Sequence, residues 1–100
     1  MRIIAQSTLA KFSEAHPEAS ASIGHWRRIV KSARWVNSSE VQASFTKAKV
    51  LNGERVRFEV SGGNYRLIAA FKFESNLCFV KFIGTHAEYD RIDALKISLF

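Results

Sequence analysis

The period of the apolar pattern changes near residue 47, and this change constrains the fold more than any other feature. From Arg55 to Val60 the chain alternates strictly, Arg55-Val56-Arg57-Phe58-Glu59-Val60, as a strand with one buried and one polar face does. Ser61-Gly62-Gly63-Asn64 follows, residues that tolerate positive φ and so predict a hairpin turn. A second strand is predicted over 65–73, a turn at Glu74-Ser75-Asn76, and a third strand over 77–83. Lys47 to Leu51 predicts a fourth, with Asn52-Gly53 as its turn. Short turns of this kind join antiparallel neighbours.

Before residue 47 the period is helical. Ser7 is placed to cap a short helix with Leu9 and Phe12 facing inward, and Pro17 suits the first turn of a second helix, where its missing N–H costs nothing. Ile23, Trp26, Ile29, Val30 and Ala33 recur there at three- and four-residue spacing, an apolar stripe. Asn37-Ser38-Ser39-Glu40 signals a loop, with Ser39 the expected cap of one further turn. A final short helix is expected from Thr85 through Leu95. Helices followed by a meander give an α+β domain spanning 1–100, the helices covering one sheet face and leaving the other for function.

The chain has 100 residues, 47% of them hydrophobic and 12% aromatic, which supports a packed globule over a disordered chain. Fifteen Lys and Arg against nine Asp and Glu give a net charge of +6, pointing to nucleic acid or another polyanion as partner. The single cysteine, Cys78, excludes an internal disulfide and a multi-cysteine zinc site, and its apolar surroundings mark it as a core residue. No apolar run approaches the roughly 20 residues that span a bilayer. A cytoplasmic protein without membrane contact is expected.

Strand alternation sorts the charges. Val56, Phe58, Val60, Leu67 and Phe71 are predicted to lie under the helices, which sets Arg57, Arg66 and Lys72 on the opposite face, with Lys81 joining them. Several cations on one face make a phosphate-binding surface, a role the planar fork of arginine suits. His86 and Tyr89 follow the third strand three residues apart, so one helical turn brings them to one side. Histidine moves protons near neutral pH, and tyrosine serves as a base only beside cations such as Arg66 and Arg91. His16 and His25 are expected to lie on the helices, away from this cluster. The three histidines show no metal-ligand spacing, no Gly-rich phosphate loop is present, and neither a metal nor a cofactor is expected.

Asn64-Tyr65-Arg66-Leu67-Ile68 and Phe82-Ile83-Gly84-Thr85-His86-Ala87-Glu88-Tyr89-Asp90 closely resemble the HigB family of type II toxin–antitoxin toxins, within the RelE superfamily. The helical first half, with His16-Pro17 and Trp26, is similar to that family too, so the resemblance covers nearly the whole chain. The Gly-Thr-His-x-Glu-Tyr-Asp signature is its specific part. The resemblance implies a RelE-like fold: N-terminal helices on a three- to four-stranded antiparallel sheet, with a short C-terminal helix. It also implies a metal-independent mRNA interferase that cuts mRNA on translating ribosomes and is silenced by a HigA-like helix-turn-helix antitoxin.

By position, Arg66 matches the superfamily's strand arginine at the scissile phosphate, and His86 and Tyr89 match its C-terminal catalytic region. Arg91 stands where many relatives have lysine, and Glu59 where RelE has a second strand lysine. The chemistry implied is attack by a ribose 2′-OH on the adjacent phosphate. His86 or Tyr89 would move the protons, and Arg66, Lys72 and Arg91 would hold the charge developing on phosphorus, with Arg57 and Lys81 as further phosphate-binding cations. Two readings compete: a non-catalytic basic module that binds RNA or the ribosome, and an interaction protein whose charge suits an acidic partner.

Overall fold

The computed structural model describes residues 1–98. Strand β1 (Arg2–Ile4) is followed by helix α1 (Gln6–Ala15), a 3-10 turn (Pro17–Ala19), α2 (Ser20–Ser32) and α3 (Ser38–Ser44). Then come β2 (Lys49–Val50), β3 (Arg55–Val60), β4 (Tyr65–Lys72), a 3-10 turn (Phe73–Ser75), β5 (Leu77–Thr85) and the short helix α4 (His86–Tyr89). Five strands form one sheet in the order β1-β5-β4-β3-β2.

The α+β architecture agrees with the expectation; the sheet has one strand more and is mixed. β1 runs parallel to β5 at its edge, pairing Ile3 with Cys78, while the other neighbours are antiparallel. Three residues are too few to show a period, which is why Arg2-Ile3-Ile4 gave no strand signal. The Met1 ammonium donates to the carbonyls of Val30, Lys31 and Ala33 at 3.0, 3.0 and 2.8 Å, so a cation meets the last turn of α2.

One face of the sheet and the helices form the main core. Leu9, Ile23, Trp26, Val30 and Val41 pack with Val56, Phe58, Val60, Leu67, Ala69 and Phe71. Edge-to-face aromatic contacts thread this layer, Trp26–Phe58 at 5.5 Å and Phe45–Phe58 at 4.9 Å. Burial pushes the Cys78 thiol up to about 12, which keeps it neutral.

Local caps depart from the sequence expectation in three places. α1 starts at Gln6 after Ala5 in the left-handed region (φ 77°), without a side-chain cap from Ser7. Asn37, two residues before Ser39, caps α3 by accepting from the Glu40 N–H at 3.0 Å. The C-terminal helix ends at Tyr89 instead of running through Leu95. Beyond it Asp93 Oδ1 accepts from the Leu95 N–H at 3.1 Å, a local turn that competes with continued helix.

The second face of the sheet is therefore less open than alternation implies. Ile68 and Phe82 pair across β4 and β5 on that face and are buried. The segment after α4 supplies cover: Ile92, Ala94 and Ile97 are half-buried, and Arg55 Nη1 donates to the carbonyls of Ala94 at 3.1 Å and Ile97 at 2.7 Å. Of the ending from residue 95 to 98, Ile97 is half-buried while Leu95, Lys96 and Ser98 are exposed; Leu99 and Phe100 lie outside the described residues. An Arg55→Ala variant loses both charge-assisted bonds, at about 1–3 kcal/mol. Amide hydrogen exchange should quicken over 90–98 while the β3–β4 hairpin keeps its protection; unchanged exchange over 90–98 would show that Arg55 does not hold the segment.

Candidate functional site

The β3–β4 hairpin sets the register of the charges. Val60 pairs with Tyr65, Glu59 with Arg66 and Arg57 with Ile68. Ser61, Gly62 and Gly63 take φ of 53°, 67° and 92°, a left-handed run whose last two positions glycine adopts without strain. Gly63 has a second reason to lack a side chain: a Cβ there would sit 2.7 Å from Glu59 Oε1 and 3.6 Å from Arg66 Nη1.

Arg57, Glu59 and Arg66 consequently form a small cluster at the hairpin end of the second face. Arg57 Nη2 lies 3.5 Å from Glu59 Oε2. Arg66 Nη1 donates to the Gly63 carbonyl and, at 3.4 Å, to that of Tyr65. The Nε atoms of both arginines, like Trp26 Nε1 and Arg27 Nε elsewhere, are buried without a hydrogen-bond partner among the described residues. Buried donors of this kind are uncommon because each forfeits its hydration, so they invite an acceptor.

β5 brings the third component to the same end. Arg66 pairs with Gly84, and one residue later Thr85 starts α4, where the His86 N–H donates to Asn64 O at 3.2 Å. The Gly84-Thr85-His86-Ala87-Glu88 signature is a capping box. Thr85 Oγ1 accepts from the Glu88 N–H at 3.1 Å, and Glu88 Oε1 accepts from the Thr85 N–H at 2.8 Å. Gly84 leaves room for both neighbours, since a Cβ there would meet the Phe82 ring at 2.7 Å and Glu88 Oε1 at 3.0 Å. α4 then presents His86 to solvent, with its Nε2 3.5 Å from Asp90 Oδ1, and lays Tyr89 against Phe82 at 6.3 Å between ring centres. Arg91 follows, exposed.

Arg57, Arg66, His86, Tyr89 and Arg91 thus gather at one end of the sheet, whereas Lys72 and Lys81 do not. Lys72 lies six residues along β4 from Arg66, about 20 Å at the usual strand rise. Lys81 sits where the β4–β5 register shifts, its Nζ 5.4 Å from the Phe79 ring centre and 3.4 Å from Ser98 Oγ. These two lysines line a separate hollow of about 520 Å³ with Phe79, Glu54 and Glu74. A one-residue bulge and the length of β4 divide the cations into two groups that alternation alone merges. Among the described residues, no three His, Cys, Asp or Glu side chains converge as metal ligands.

His16 corrects the sequence expectation, because it reaches the same end of the sheet from the helix side. Its Nδ1 is 3.2 Å from Tyr65 Oη, its ring stacks on Phe12 at 4.3 Å, and Tyr65 donates to the Glu18 carboxylate. The neighbour of Arg66 in sequence is thereby fastened to the junction between α1 and α2. The only advance signal was the break His16-Pro17-Glu18, which reads as helix punctuation.

Two carboxyls here are held below their ordinary 4.5, Glu18 chiefly by the Tyr65 hydroxyl and Glu88 chiefly by the Thr85 N–H and then its hydroxyl. The Tyr65 phenol is raised above 10.0, chiefly by the bond to Glu18. A depressed carboxyl stabilises the fold above its unfolded value and ceases to do so as pH falls through its folded value. A raised phenol stabilises below 10.0 and ceases as pH rises through its folded value. Thermal melts should therefore show stability declining below about pH 4.5 and again above about pH 10. Glu18→Gln should flatten both limbs and Glu88→Gln the acid limb alone; unchanged limbs in both variants would contradict the assignment.

Known proteins resemble the chain along most of its length. The chain is 28% identical over 95 residues to the mRNA interferase HigB of Escherichia coli O6:H1, covering 92% of this chain and 91% of that one. It is 26% identical over 98 residues to the mRNA interferase toxin HigB of Escherichia coli K12, covering 95% and 93%, and to the same extent to the mRNA interferase HigB of Shigella flexneri. The family model described as HigB_toxin, the RelE-like toxic component of a toxin–antitoxin system, matches residues 19–92, a span from the 3-10 turn to just beyond α4. This chain belongs to the HigB family of RelE-like toxins.

Proposed function

We propose that this protein is an mRNA interferase, an endoribonuclease that stops translation by cutting mRNA without a metal ion, on the ribosome. The observation that carries the reading is the pair of buried Nε–H donors of Arg57 and Arg66, unpartnered among the described residues, beside the capped His86–Tyr89 turn. A phosphodiester supplies the missing acceptors, and guanidinium recognises it in a fixed plane. The names of the curated relatives support the same substrate.

In the reaction a ribose 2′-oxygen attacks the adjacent phosphorus and the bond to the 5′-oxygen breaks. The products are a 2′,3′-cyclic phosphate and a 5′-hydroxyl end. One proton leaves the 2′-oxygen and one reaches the departing 5′-oxygen; His86 and Tyr89 are the groups assigned to these transfers. His86 suits acid–base work because it is exposed and oriented through its backbone contact with Asn64. Tyr89, half-buried on Phe82, also offers a face on which a base can stack. Arg66, supported by Arg57 and Arg91, stabilises the charge that grows on the phosphoryl oxygens. Lys72 and Lys81, at the far end, are assigned to RNA backbone outside the scissile phosphate.

The antitoxin that the family carries is assigned here to the HigA type, a helix-turn-helix protein, and the whole 1–100 chain is taken as one toxin domain acting in the cytoplasm. No helix among the described residues is long and apolar enough to cross a membrane.

The test is induction of the chain in cells with mapping of mRNA 5′ ends, beside Arg66→Ala and His86→Gln. Wild type should arrest growth and create new ends inside reading frames. Arg66→Ala should lower cutting by about 10²–10³-fold and His86→Gln by about 10²–10⁴-fold, with melting temperatures preserved. Growth arrest without new ends would favour a non-catalytic RNA- or ribosome-binding module, and full cutting by both variants would refute the site.

A further inference from the structure

A hollow of about 430 Å³ opens beside the hairpin turn, on the side of β3 away from β4. It exists because β2 is only two residues long. Lys49 and Val50 pair with Arg57 and Val56, and the strand stops before it reaches Phe58 and Glu59. The chain from the end of α3 to β2 forms one wall, with Phe45 and Lys47, and α2 contributes His25. Gly62 and Gly63 form the rim toward β4, and Phe58 the apolar floor. The volume lies within the roughly 300–1,000 Å³ usual for small-ligand sites.

Position ties this hollow to the arginine cluster. Gly63 lines it, and the Gly63 carbonyl is held by Arg66 Nη1. Glu59 lines it too, its carboxylate fixed between Arg57 on one side and the bare Cα of Gly63 on the other. A phosphate on Arg66 thus has one wall, Gly63, between it and the hollow.

The lining selects among occupants by chemistry. A carboxylate repels phosphate, so the group beside Glu59 must present hydrogen-bond donors. Phe45, half-buried, together with the Phe58 floor, suits a flat ring. Lys47 and His25 are exposed at the opening, where they meet a backbone that stays outside. Among RNA bases only guanine offers two adjacent donors, N1–H and N2–H, to a two-oxygen acceptor. Uracil would turn carbonyl oxygens toward Glu59, while adenine and cytosine each offer one donor beside an acceptor.

We propose that this hollow binds a guanine base of the mRNA next to the phosphate held by Arg66, with the Glu59 carboxylate accepting from guanine N1–H and N2–H. The proposal rests on the nuclease reading for its substrate, and it makes Glu59 a residue that sets sequence preference without taking part in bond breaking.

Two measurements test it together. Nuclear magnetic resonance titration of the purified chain with guanosine monophosphate should shift the amides of Phe45, Glu59 and Gly63, with affinity about ten-fold above that for uridine monophosphate. The isosteric Glu59→Gln should remove that difference. In cells, mapped cuts by wild type should show guanine enriched at one fixed position flanking the break, and the cuts that Glu59→Gln still makes should lack that enrichment. Equal affinity for the two nucleotides, no shifts at these amides, or a guanine bias unchanged in Glu59→Gln would each overturn the proposal. A chain that selects guanosine monophosphate through Glu59 yet cuts no RNA would overturn the nuclease reading and leave the base site standing.

Discussion

The register of the β3–β4 hairpin is the constraint on which the rest of the molecule depends. Side chains alternate with a period of two, so a slip of one residue would exchange the two faces of β3 against β4. Val56, Phe58 and Val60 would then meet solvent and Arg57 and Glu59 the helices. The turn at Ser61-Gly62-Gly63 prevents this by its left-handed backbone, and the Phe58 and Leu67 pair, both buried, holds it from the core side. Once the register is fixed, Glu59 faces Arg66 across the strands and the charged end of the second face is defined.

The hairpin was legible because its causes are local. Strict alternation, a Ser-Gly-Gly-Asn turn and the apolar stripe of α2 each lie within a few residues, and the observed β3 limits coincide with Arg55 and Val60. What stayed hidden depends on partners distant in sequence. β1 is a strand only because β5 offers it an edge, and Tyr65 joins His16 and Glu18 across more than forty residues. Lys72 and Lys81 were grouped with Arg66 because alternation reports the face and says nothing of position along it. The short C-terminal helix was visible from Thr85 onward; its end was not, because Asp93 and the hold of Arg55 are tertiary facts.

The signature around His86 divides between structure and chemistry. Gly84, Thr85 and Glu88 are accounted for by close packing and a reciprocal cap, with no need for a role toward substrate. Such a cap matters more than usual here, since a helix of four residues has little cooperative stability of its own. The cap and the Asn64 contact therefore orient His86 and Tyr89, and they do so from the same hairpin turn that positions Arg66. One turn thus places both halves of the candidate site.

The arginines show what that placement costs. An unpaired buried donor destabilises by roughly 1–3 kcal/mol, and a domain of this size has about 5–15 kcal/mol of stability in all. Such donors on Arg57 and Arg66, in addition to those on Trp26 and Arg27, are a sizeable burden for a 100-residue chain with a modest core. An alternative partner is close at hand: Glu59 stands opposite Arg66 across the strands, yet its carboxylate lies 3.5 Å from Arg57 Nη2 and, among the described residues, makes no hydrogen bond to Arg66. A guanidinium saturated by Glu59 would have to break that pair before taking phosphate, losing on binding what it gained on folding. Leaving the Nε donors open keeps their interaction free energy for a ligand, in the way that functional sites depart from local optimality.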